Sequence, residues 1–182
     1  SVLFATLFAL PVPFYSVHLL FINLVTDSLP AIAIGMEKST RNLLQDKPRH
    51  QKESILDKDT MIQIGWQGAL IAVFTMIAYF IGLQESHGLA ATLAFATLCL
   101  ARLFHGFNCR GRESIFKLGL FTNKYSIGAF VIGFGLLNLI LLNSALNSLF
   151  MVTDITLSQL GIIYILGFMP TLMIQIVRLF KR

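Results

Sequence analysis

An all-α membrane fold, a bundle of five full transmembrane helices plus one partial N-terminal helix, is predicted by three features of this sequence. Apolar runs of about 20 residues recur five times, each long enough at helical rise to cross a hydrocarbon core of roughly 30 Å. Hydrophobic residues make up 55% of the 182 and charged ones 13%, and the mean hydropathy is +0.74, outside the range of soluble domains. Finally, alternating spans place 13 of the 14 Lys and Arg residues in loops on a single side, which the positive-inside rule assigns to the cytoplasm together with the C-terminus.

Taken in order, residues 1–10 are apolar but too short to cross a membrane, and without a basic n-region they do not read as a signal peptide. They are read as the end of a helix that begins upstream. Pro11 and Pro13 break it. The run 17–36 follows, and then 37–60 mixes Glu37, Lys38, Arg41, Asp46, Lys47, Arg49, Lys52, Glu53, Asp57, Lys58 and Asp59 into a solvated loop. Thr60 and Gln63 have the spacing of a capping box for the helix 61–83, with Trp66 at headgroup depth. A polar turn, Gln84 to His87, leads to 88–107, which contains Arg102. A second basic loop, Asn108 to Tyr125, separates it from 126–146, and Asn147 to Thr156 carries no Lys or Arg before the last span, 157–178. The four residues Gln63, Gln67, Asn138 and Asn143 read as interhelical hydrogen-bonding groups, and Ala129 with Gly133 as a small-residue packing face. Two cysteines, Cys99 and Cys109, supply no disulfide framework, and His105 with Cys109 is too sparse a pair for a metal centre. The net charge of +5 is distributed as loop charge, so no nucleic-acid partner is implied; the partner is the lipid bilayer.

The chemistry concentrates in Asn23-Leu24-Val25-Thr26-Asp27-Ser28-Leu29-Pro30. A carboxylate at the middle of a membrane helix costs on the order of 3 kcal/mol on insertion scales, so Asp27 calls for a function. Asn23, Thr26 and Asp27 stand at i, i+3 and i+4, and three oxygen-bearing side chains on one helix face suit a hard cation. Pro30 removes the N–H that would bond the Thr26 carbonyl and loosens the backbone beside the carboxylate. A polar seam between helices accounts for Asn and Thr, but poorly for a central carboxylate next to proline.

This run closely resembles the sixth transmembrane helix of P-type calcium-transporting ATPases, with Ser28 replacing a glycine. The Leu10-Pro11 break, the Val17-His18-Leu19-Leu20 lead and the order of spans are similar to the C-terminal half-bundle of that family, from the end of its fifth helix to its tenth. The resemblance implies that Asn23, Thr26 and Asp27 bind the transported ion, most simply Ca2+, and that the loop 37–60 contacts a phosphorylation domain. It also implies that upstream helices and cytoplasmic domains, where ATP and Mg2+ bind, complete the pump, in the plasma membrane. The chain has no phosphorylation run and no P-loop, so alone it is expected to hydrolyse nothing. In two-ion calcium pumps the eighth helix supplies a glutamate; here Arg102 falls near that position, which implies one calcium per cycle and a built-in counter-charge. The bland reading has Arg102 snorkelling to the headgroups. Rival readings are a secondary transporter or channel, driven by a gradient, and a noncatalytic helical scaffold.

Overall fold

The computed structural model describes residues 2–7, 11–37, 58–111 and 114–180; most of the expected loop 37–60 lies outside them. The described residues are helical, without a strand, and five helices are long and apolar enough to cross a membrane, so the predicted all-α class and span number hold.

The short α1 (Val2–Leu7) precedes the Pro11–Pro13 turn, which the Tyr79 hydroxyl ties down by donating to the Pro11 carbonyl at 2.8 Å. The first span is composite: α2 (Ser16–Phe21), a π-helical turn (Ile22–Asp27) and α3 (Ser28–Gly35). α4 (Lys58–Leu83) starts before the expected Met61, so Thr60 lies inside its first turn and is not a cap. Asp59 in that turn favours the earlier start by facing the positive end of the helix dipole.

α5 (His87–Asn108) is capped by the Ser86 hydroxyl, which accepts from the Leu89 N–H at 3.1 Å. A single helical turn, α6 (Ile115–Leu118), interrupts what the sequence suggested was a loop. α7 (Lys124–Leu142) begins ahead of the expected Ser126 because the Asn123 side chain accepts from the N–H groups of Tyr125 and Ser126. It also ends sooner than Leu146. Asn143 leaves helical geometry at φ −107°, ψ 107° and caps a separate helix, α8 (Ser144–Phe150), so it is a cap residue and not a side chain within the span. α9 (Leu157–Phe180) runs through Pro170 to the end of the described chain.

α5 is the central post. Its most apolar window is 72% buried against 33% for each of the other four spans. The sequence explains how neighbours approach it so closely. A Cβ on Gly82 of α4 would sit 2.6 Å from the Ala90 Cα, and one on Gly167 of α9 would sit 2.9 Å from Leu100. Gly133 of α7, expected to lie on a packing face, is likewise closed over by the Leu103 side chain. Without a hydrophobic driving force between helices in lipid, such close backbone packing is the main source of cohesion. Thus the central helix α5 carries Arg102, which faces the composite span that carries Asp27.

A charge-paired cleft beside a π-helical turn

The π turn is the local consequence of the sequence around it. Pro30 has no N–H to close the ladder onto Thr26, and its ring crowds the carbonyl one turn back, so the backbone just before it widens. Two hydroxyls serve carbonyls of the turn: Thr26 Oγ1 donates to the Ile22 carbonyl and Ser28 Oγ to that of Asn23, both at 2.8 Å. The break expected at Pro30 therefore takes the form of a widened but continuous helix. The wider turn also changes which side chains share a face. Thr26 is buried and Asp27 half-buried, whereas Asn23 is exposed and does not line the cleft into which the other two open.

That cleft, of about 770 Å³, lies between the composite span, α4 and α5. Asp27 and Arg102 meet in it: one guanidinium nitrogen donates to both carboxylate oxygens. Arg102 thus engages Asp27 directly. Across from the pair, α4 contributes Gln63 and Gln67; Gln67 is buried and its Nε2 has no hydrogen-bond partner among the described residues. His105 lies one turn beyond Arg102, and Pro30 packs on Gly106, where a Cβ would come within 3.1 Å of the proline ring. Among the described residues no three His, Cys, Asp or Glu side chains cluster.

Three further polar assemblies in the bundle had no clear signal in the sequence. His18, fully buried, stacks on Phe95 at 4.2 Å, accepts from the Tyr15 N–H, and donates from Nε2 to the Phe150 carbonyl at 2.8 Å, which joins α2 to α8. Asn108 donates to Thr171 Oγ1 at 3.1 Å and accepts from Gln175 Nε2 at 2.6 Å. The Gln175 carbonyl in turn accepts from Ser114 Oγ and the Ile115 N–H, both at 3.0 Å. Finally, Arg110 donates through Nε and Nη2 to the two oxygens of Glu37 at 2.9 and 2.8 Å. The Arg110 hydrogen bonds hold the Glu37 carboxyl below its ordinary range, with Asn123 adding to the effect and burial partly opposing it.

Five apolar spans around a carboxylate, itself paired with arginine and set in a π turn, define the membrane domain of a polytopic protein. Residues 11–180 match the family described as "Cation transporting ATPase, C-terminus", and the chain belongs to that family. It is 36% identical over 179 residues to a calcium-transporting ATPase of Bacillus subtilis, covering 94% of this chain and 20% of the relative. To one from Listeria monocytogenes it is 41% identical over 146 residues, 80% of this chain and 17% of that protein. A third relative, calcium-transporting ATPase 1 of Saccharomyces cerevisiae, is 30% identical over 136 residues, 71% of this chain and 14% of that protein. The chain spans about a fifth or less of the length of these relatives.

Proposed function

We propose that this chain is the membrane-embedded C-terminal part of an ATP-driven pump whose transported ion is Ca2+, as the names of its relatives suggest. The observation that carries the reading is the Asp27–Arg102 pair in a polar cleft beside the π turn. Asp27 and Thr26, with Asn23 on the exposed side of the same turn, supply part of the ion site. Calcium takes 6 to 8 oxygens, so helices outside this chain complete the coordination.

Two cations compete for one carboxylate. An arriving calcium ion displaces the Arg102 guanidinium from Asp27, and departure of the ion lets the guanidinium return, so the site never leaves a bare carboxylate in the membrane. The positive charge at Arg102 also disfavours a second calcium nearby, which supports one ion per cycle. ATP and Mg2+ act in cytoplasmic domains beyond this chain, and the loop 37–60 relays their movements. The pump sits in the plasma membrane with its C-terminus in the cytoplasm, the side to which the basic loops point.

The test is ATP hydrolysis by the full-length protein across calcium, manganese, magnesium, sodium and potassium, with and without Asp27→Asn. Calcium stimulation that disappears in the variant supports the assignment. Activity indifferent to both ion and substitution refutes it and directs attention to gradient-driven flux. Arg102→Glu is expected to alter the number of calcium ions moved per ATP; an unchanged ratio with unchanged pH dependence would remove the counter-charge role.

A further inference from the structure

From the clasp that Glu37, Arg110 and Asn123 form at the end of the cleft-lining helices, we infer that these three are positioning residues for the Asp27–Arg102 pair. The inference rests on the ion-site reading above and goes beyond it. Asp27 and Glu37 lie ten positions apart on one continuous segment, and Arg102 and Arg110 lie eight positions apart on another. The same two segments are therefore joined twice by opposite charges, once within the membrane and again about 12 to 15 Å further along.

The second junction is built more rigidly than the first. The Arg110 side chain is 1% exposed, against 38% for Arg102. Beyond its two-pronged contact with Glu37, Arg110 donates through Nη1 to the carbonyls of Gly119 at 3.1 Å and Leu120 at 3.2 Å. Asn123 adds a third strand to the clasp. Its Nδ2 donates to the Glu37 carboxylate at 2.6 Å and to the Ala33 carbonyl in the last turn of α3 at 2.9 Å, while its Oδ1 caps α7. A planar guanidinium held by four acceptors fixes direction as well as distance.

The end of α3 is thereby attached to the end of α5 and the start of α7. Only the turns between the two junctions remain to take up movement when an ion exchanges with Arg102. With the clasp closed, Asp27 returns to one position relative to Arg102 in each cycle. With it open, the carboxylate and guanidinium lose register, and the difference in free energy between ion-bound and ion-free states changes. Glu37 and Arg110 act on calcium only through Asp27 and Arg102.

The experiment measures the calcium concentration for half-maximal ATPase activity and the maximal turnover separately, in the full-length pump with Glu37→Gln, Glu37→Asp and Arg110→Lys. Glu37→Gln and Arg110→Lys are each expected to shift half-activation by about fivefold or more while maximal turnover changes less. The double variant should shift it by less than the product of the two, and Glu37→Asp should recover part of the shift. Lower protein yield or thermal stability with half-activation unchanged would overturn the proposal and leave a purely structural clasp; Arg110→Lys provides the same readout if Glu37→Gln does not accumulate. If Asp27→Asn abolishes calcium activation but the clasp variants behave as wild type, only this inference fails. If Asp27→Asn is silent, the ion-site reading fails and takes the clasp with it.

Discussion

Replacing Gly82 by alanine isolates the contribution of close packing around α5. In an unobstructed helix interior this substitution is favourable by about 1 kcal/mol. At Gly82, however, the new Cβ meets the Ala90 Cα at 2.6 Å, the Ala90 nitrogen at 2.7 Å and the Leu89 carbonyl carbon at 2.9 Å. All three are backbone atoms of α5, so no side chain can turn aside. Restoring an ordinary carbon contact requires α4 and α5 to part by about 1 Å. Overpacking of this kind costs on the order of 1 to 3 kcal/mol, and the backbone character of the obstacle puts Gly82 at the upper end. The net expectation is a loss of about 2 kcal/mol, a fall in melting temperature of roughly 4 to 8 °C for a chain of this size. Gly65 supplies the internal control: it lies on the same helix with nothing within 4 Å of its would-be Cβ among the described residues, so Gly65→Ala should leave the melting temperature unchanged or raise it. Cys99, buried and free, is a convenient reporter. In a Cys109→Ser background its reaction with a maleimide dye during heating follows loss of the bundle. Equal melting temperatures for Gly82→Ala and wild type would refute the argument that backbone contact sets the α4–α5 distance.

Two other outcomes are expected. Because its pairing depresses the Glu37 carboxyl, the clasp stabilises the protein above the ordinary carboxylate value, and that contribution fades as pH falls through the lower value in the folded state. The melting-temperature gap between wild type and Glu37→Gln should then be constant near neutrality and shrink in acid; a gap independent of pH would contradict the pairing. Gln175→Leu removes the partner of the Asn108 side-chain carbonyl and of the Ile115 N–H, and should cost about 2 kcal/mol in thermal stability, whereas the exposed Phe180→Leu should cost almost nothing.

The legible part of the fold was the part written in local composition. Runs of apolar residues announce spans because lipid demands them, whatever lies alongside. A carboxylate beside a proline announced the site for a similar reason, since both are costly where they stand. Geometry that depends on distant partners was hidden. Glu37 read as one more charge in a mixed loop because its partner, Arg110, lies 73 positions away. A loosened backbone at Pro30 was legible, but not its form as a π turn: α-helical spacing was assumed from Asn23 to Asp27, which led Asn23, Thr26 and Asp27 to be placed on one face. Span ends were displaced wherever a side-chain cap, such as Asn123 or Asn143, competed with the hydropathy pattern.

The Asn108–Gln175 contact also carries a consequence for how the protein is made. Asn108 leaves the ribosome 67 residues before Gln175, an interval on the order of several seconds at ordinary rates of synthesis. Throughout it, the end of α5 holds amide groups whose final partners do not yet exist. A bare amide is costly in hydrocarbon, so water at the membrane surface or the insertion machinery must satisfy Asn108 until α9 arrives. The end of α5 therefore acquires its final partner only when α9 arrives, and a ribosome that stalls before Gln175 leaves Asn108 without it.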